Sequence, residues 1–163
     1  MNKDIPTFYV ETLPGTKHFR NGGSGILYTY PGCTTEVIKL PFSSKASTAN
    51  LEIEKRVYQR LGYHPNIIRC LRIEDYGIHL ERAEHNSFRE YYANGGTATV
   101  GECIKWSRDV ANALQYIHEH KVRHADLSGK NVLLDSSRTV RLCDFAGSAI
   151  DDNPSTVWAQ SGY

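Results

Sequence analysis

The sequence predicts an α+β chain in which strands and helices are segregated rather than alternating. Two observations predict it. Short strand-like runs around turn residues fill the first half, broken by one helical stretch, and capped helical stretches followed by a hairpin fill the second. No internal repeat or low-complexity tract points to a solenoid instead.

Residues 1–20 read as irregular, with Pro6 and Pro14, and Asn21 to Gly25 as a glycine-rich turn. Ile26 to Tyr30 and Glu36 to Leu40 read as an antiparallel hairpin about Pro31-Gly32. Ser, Ala and Thr dominate residues 43–50, which read as a loop. Leu51, Glu54, Val57, Tyr58 and Leu61 then recur at helical spacing, and Gly62 and Pro65 stop that helix. Ile67 to Ile73 and Ile78 to Leu80 read as strands around Asp75-Tyr76-Gly77.

Beyond a boundary near Glu81 to Asn86 the pattern turns helical. Ser87 to Tyr92 reads as a short helix stopped by Asn94-Gly95-Gly96. Thr99 and Glu102 form a T-x-x-E capping box. The helix behind it carries Cys103, Ile104, Val110, Ala111, Leu114, Ile117 and His118 on one face. Val132 to Leu134 and Val140 to Leu142 pair around Ser136-Ser137-Arg138.

The 163 residues give room for one domain or most of two small lobes. Apolar residues at 40% and charged residues at 23% fit a soluble globular protein. A formal net charge of +1 gives no electrostatic reason to expect nucleic acid or an anionic membrane as partner. No apolar run is long enough to span a bilayer, and Met1 to Val10 is not a secretory signal. Cys33, Cys70, Cys103 and Cys143 are scattered without a C-x-x-C pair, which argues against a zinc site or a disulfide framework. A reducing, cytoplasmic setting is therefore expected.

Chemistry concentrates in two segments. In His124-Ala125-Asp126-Leu127-Ser128-Gly129-Lys130-Asn131 a carboxylate is followed five residues later by Asn. That spacing suits phosphoryl transfer: Asp126 can accept a proton from an attacking hydroxyl, and Asn131 can hold a metal on the phosphates. A polar loop after a helix would look similar. Asp144-Phe145-Ala146-Gly147 leaves a hairpin with an acidic residue placed to chelate magnesium. A plain turn is the alternative there. The pairing favours the chemical reading of both, because a hairpin of that length between Asp126 and Asp144 returns the chain beside its start, so three oxygen-bearing side chains can converge.

Together these segments resemble the catalytic loop and D-F-G segment of protein kinases, whose patterns are H-R-D-L-x-x-x-N and D-F-G. More of the set follows in order. Glu36-Val37-Ile38-Lys39 resembles the V-A-I-K strand, Glu54 stands where helix C of the family carries its Glu, and His64-Pro65-Asn66-Ile67 and Tyr116-Ile117-His118 resemble later landmarks. The resemblance covers residues 18–163 and implies a bilobal protein-kinase-like fold. Its small antiparallel-sheet lobe with helix C would take about 18–83, and an incomplete helical lobe about 84–163, after an irregular segment at 1–17.

The resemblance implies ATP and magnesium as cofactors and an unknown protein as substrate. Lys39 would neutralise the α- and β-phosphates, with Glu54 pairing and aiming it. Gly22, Gly23, Ser24 and Gly25 would approach phosphate oxygens through backbone N–H groups. Leu27, Val37 and Leu133 would sandwich the adenine, Glu81 to Ala83 would form the hinge, and Leu80 the gatekeeper. Asp126 and Lys130 would serve catalysis, and Asn131 and Asp144 would hold the metal. Tyr58, Cys70, His124 and Phe145 would stack as the regulatory spine.

The chain also departs from the family. Arg20 takes the first glycine's place in G-x-G-x-x-G, either loosening the loop or adding charge near the phosphates. Ala125 replaces the Arg that normally pairs with an activation-loop phosphate, so that mode of activation is not expected, and Arg123 occupies a usually apolar place. Ser128 replaces the loop Lys of Ser/Thr kinases while Lys130 resembles the arrangement of many tyrosine kinases, which leaves hydroxyl specificity open, Ser/Thr being preferred. Ala146 replaces the Gly of D-F-G. The sequence stops at Tyr163 inside what would be the activation segment, without A-P-E or later helices, so a partly uncovered helix face and marginal stability are expected.

Three functional readings remain. The first is a phosphotransferase unit acting with Mg-ATP on a protein hydroxyl. The second is an impaired fragment or pseudokinase that binds nucleotide or a partner. The third is a small-molecule kinase of the aminoglycoside-phosphotransferase type.

Overall fold

A computed structural model describes residues 13–152. Its larger sheet has five antiparallel strands in the order β1-β2-β3-β5-β4: β1 (Lys17–Asn21), β2 (Ile26–Thr29), β3 (Glu36–Leu40), β4 (Cys70–Glu74) and β5 (Gly77–Glu81). Val37 of β3 faces a core shared with helix α1 (Lys45–Leu61), while Ile38 and Leu40 face Tyr28 on the other side. Both faces are covered, which accounts for the nearly unbroken apolar run in β3.

Below the sheet lie α2 (Phe88–Ala93) and the long α3 (Val100–Glu119). They are followed by β6 (Val122–Arg123), the hairpin of β7 (Val132–Leu134) with β8 (Val140–Leu142), and β9 (Ala149–Ile150), which pairs with β6. The predicted hairpins, the helix stop at Gly62 and the Thr99–Glu102 capping box all stand.

Several expectations need correction. The irregular segment ends earlier than predicted, because Lys17–Asn21 is an edge strand; residues 1–12 lie outside the described residues. Four of its five residues are polar and only Phe19 is apolar, so no alternation announced it. The loop predicted at 43–50 is mostly helix. Ser44 caps α1 by accepting from the Ser47 N–H at 3.1 Å, and buried Ser47 sits one turn before Leu51 on the packed face.

Two further differences concern the lower part of the fold. Ile67 and Ile68 do not extend β4. They join the lower hairpin, where the Ile68 N–H donates to the Leu142 carbonyl at 2.9 Å and the Leu142 N–H to the Asn66 carbonyl at 2.8 Å. The buried stripe of α3 is Trp106, Ala113 and Ile117, packed on β6 and β8. Cys103, Ile104, Ala111 and His118 are exposed, and Val100 and Ile104 show 78% and 57% of their surface. Exposed Arg123 lies in β6 opposite Ala149, where a charge meets solvent rather than core.

Candidate active site

The sheet and the lower helices enclose a cleft of about 1180 Å³. Its roof comes from β1, β2 and β3. At its inner end Lys39, on β3, reaches two carboxylates, with Nζ 2.6 Å from Glu54 Oε2 and 2.7 Å from Asp144 Oδ1. Glu54 arrives there because helical spacing puts it on the same face of α1 as Leu51 and Tyr58. Its side chain is fully buried and Lys39 is 7% exposed. Burial opposes the charge on Lys39, but the two carboxylates outweigh it and hold its pKa above the usual lysine value. Burial likewise pushes the Glu54 carboxyl up, against the pull of Lys39. Burial also works against ionised Asp144, yet Lys39 and hydrogen bonds from Lys39 and Ser24 bring its pKa below the ordinary value.

Asp144 is delivered by β8 and a backbone turn with φ of +62°, a conformation Asp tolerates better than most residues. The turn seats Phe145 in the core, edge-on to Tyr58 at 5.4 Å and against His124 at 5.1 Å. The Phe145 N–H donates to Glu54 Oε1 at 3.3 Å. Partly buried Cys70 packs against the cluster that holds Tyr58 and Phe145, and His124 joins through its contact with Phe145. Burial keeps the His124 ring below its usual pKa, and its Nε2 lies 2.9 Å from the Cys143 carbonyl.

On the floor, exposed Asp126 and buried Asn131 meet. Asn131 Nδ2 donates to the Asp126 carbonyl at 2.8 Å and to its Oδ2 at 3.1 Å, which fixes the carboxylate. The Cys143 N–H donates to the Asn131 carbonyl at 3.0 Å and ties this loop to the segment carrying Asp144. Ser128 and Lys130 line the same floor. Asn131 and Asp144 offer hard oxygen donors, the chemistry magnesium prefers when phosphates complete its shell. Among the described residues no group of three His, Cys, Asp or Glu side chains could cage an ion alone.

Leu27, Val37, Leu80, Glu81, Ala83 and Leu133 line the remaining wall. Ala83 is buried, and among the described residues no hydrogen bond forms to its N–H, which leaves a donor for a flat heterocycle. Gly22, Gly23 and Ser24 line the cleft, but Gly25 does not. A Cβ at Gly25 would stand 2.3 Å from the Leu40 carbonyl oxygen, so packing against β3 requires glycine there.

Sequence reasoning missed Phe19, which lines the cleft and packs on the core. It also missed what Arg20 does. Arg20 forms an ion pair with Glu90 and donates to Asn86 Oδ1 at 2.7 Å, far along the chain. The Ser24 hydroxyl donates to Asp144 Oδ1 at 2.6 Å. The one available signal was Ser87-x-x-Glu90, a second capping box that marks Glu90 as fixed.

Comparisons with known proteins agree with this geometry. The model of the protein kinase domain matches residues 35–162, and the chain belongs to the protein kinase family. Similar proteins include cysteine-rich receptor-like protein kinase 6 of Oryza sativa subsp. japonica, 32% identical over 162 residues that cover 87% of this chain and 22% of the relative. Mitogen-activated protein kinase kinase kinase 13-A of Xenopus laevis is 31% identical over 61% of this chain and 11% of the relative. Serine/threonine-protein kinase SIK1 of Rattus norvegicus is 30% identical over 69% of this chain and 15% of the relative. The chain thus spans under a quarter of the length of these relatives. The small-molecule-kinase reading is not the one this family match supports. Among the described residues no helix is long and apolar enough to cross a membrane.

Proposed function

We propose that the chain carries a nucleotide site for ATP-dependent phosphoryl transfer from ATP to a protein hydroxyl, with magnesium held by Asn131 and Asp144. The observation that carries this reading is the buried Glu54–Lys39–Asp144 bridge facing the Asp126–Asn131 pair across one cleft. Bound magnesium would neutralise charge on the phosphates. Lys39 adds a fixed cation on the roof, and exposed Lys130 another on the floor. Asp126 accepts the hydroxyl proton as the oxygen bonds to the γ-phosphorus and the bond to the departing diphosphate breaks. Ser/Thr specificity is favoured by the similarity to serine/threonine-protein kinase SIK1 of Rattus norvegicus.

A second reading, a nucleotide- or protein-binding module without turnover, is favoured by the contacts on Asp144. Its Oδ1 already accepts from both Lys39 and Ser24, a closed arrangement that must open before phosphates enter.

The test is thermal unfolding with ATP, with and without magnesium. At ligand about a hundred times Kd the melting temperature of the wild type is expected to rise by on the order of 5–10 °C, and only with magnesium. Asp144→Asn keeps the shape but removes the charge, and is expected to abolish its own ligand-induced rise. A folded wild type that shows no rise would end the nucleotide reading.

A further inference from the structure

We infer that Arg20 is a positioning residue that latches the glycine-rich turn to the helical lobe, so that nucleotide entry and exit both wait for this contact to open. The inference rests on the nucleotide reading above. Its structural basis is independent of any ligand.

The latch begins with a bulge. His18 pairs with Tyr28 and Arg20 with Leu27, so Phe19 is the extra residue in β1. A bulge of this kind bends the strand and re-aims its side chains. The guanidinium of Arg20 stands 4.5 Å from the Phe19 ring centre, and that of Arg82, on the hinge, stands at the same 4.5 Å. From there Arg20 reaches across the cleft mouth to Glu90 and Asn86.

Its receptor is rigid. Glu90 Oε2 accepts from the Ser87 hydroxyl at 2.9 Å and from the Ser87 N–H at 3.3 Å, leaving Oε1 for Arg20. A preset carboxylate loses little freedom on pairing, which is what makes a partly exposed ion pair effective. Further along the turn a second tether acts from the inside, where the Ser24 hydroxyl holds Asp144 and the Ser24 carbonyl accepts from Ser47 Oγ at 3.2 Å. The turn is therefore fastened at both ends over a cleft of about 1180 Å³, ample for a nucleotide without breaking the Arg20 bridge. A glycine at position 20 would leave only the inner tether.

A closure that persists in both empty and filled states lowers the association and dissociation rates together and leaves affinity nearly unchanged. The experiment is stopped-flow binding of N-methylanthraniloyl-ATP with magnesium to the full chain, for wild type, Arg20→Gly, Glu90→Gln and the Arg20→Gly/Glu90→Gln double variant, at low and high salt. Hydrogen exchange of the 22–25 amides is followed in parallel without nucleotide. Glu90→Gln retains the capping geometry.

Both rates are expected to rise about three- to ten-fold in the two single variants, with Kd moving less than two-fold, and the double variant is expected to match the single ones rather than exceed them. Salt screens the Arg20–Glu90 pair and is expected to narrow the gap in rates between the wild type and Arg20→Gly. Exchange at 22–25 quickens in the single variants. Weaker affinity through dissociation alone would make Arg20 a direct nucleotide contact and overturn the latch, as would unchanged rates. If the wild type binds no probe, the nucleotide reading fails. Exchange then decides the latch on its own, and unchanged protection in Arg20→Gly overturns it.

Discussion

Replacing Lys39 with Met is expected to remove about 3–5 kcal/mol of stability at pH 7.5, the range for breaking a buried ion pair by deleting one partner. Lys39 and Glu54 are 7% and 0% exposed, so solvent screens little of the loss. Without the ammonium, Glu54 and Asp144 are left as two carboxylates with no counter-charge between them. The pH dependence identifies the cause. Burial already raises the Glu54 pKa in the folded chain, and losing the cation raises it further. A group whose folded pKa lies above its unfolded value, near 4.3 for Glu, favours the folded state increasingly as pH falls between the two. Lys39→Met should therefore recover part of its deficit between pH 7.5 and 5. The wild type gains less, because it keeps its cation. Urea unfolding at both pH values reads this directly. A deficit of the same size at pH 5 would show that lost packing, and not a stranded carboxylate, explains the damage.

Asp126→Asn is expected to lower phosphoryl transfer about 10²- to 10⁴-fold, the usual contribution of a placed general base. Asp126 does not take part in the Lys39 network, and Asn131 fixes it from the side. The amide keeps the size and one acceptor oxygen, so nucleotide affinity should move less than three-fold. Single-turnover transfer to a generic protein substrate, measured beside nucleotide titration, separates the two effects. Turnover that survives the substitution would remove Asp126 from the base role. A wild type that binds nucleotide and transfers nothing would favour the binding-module reading.

Much of this was legible because local chemistry and tertiary role agree. β3 is apolar where both of its faces are covered, and α1 shows its stripe because one face alone is buried. The Asp126, Asn131 and Asp144 spacing survives because one hairpin sets it. The misses have physical reasons too. β1 is a polar edge strand held by pairing with β2. The first turn of α1 is built from Ser, Ala and Thr and is stabilised by a cap and by buried Ser47, not by apolar periodicity. On α3, Ile104 and Cys103 look like core in sequence, but the helix turns Trp106 inward, where its Nε1–H donates to the Arg138 carbonyl at 2.8 Å. The bridge from Arg20 to Asn86 spans 66 residues, beyond the reach of any local pattern.

The segment after α1 has a consequence for cooperativity. Because Asn66 and Ile68 bond to Leu142, the chain leaving the upper helix becomes part of the lower hairpin. One continuous apolar cluster then runs from Val37, Val57 and Leu80 through Ile67 and Phe145 to Trp106 and Ile117. The two lobes describe the cleft and not the melting unit. Damage under the sheet is therefore expected to be felt at α3, with the described residues unfolding in a single step. A calorimetric trace with two resolved transitions is the outcome such a core does not allow.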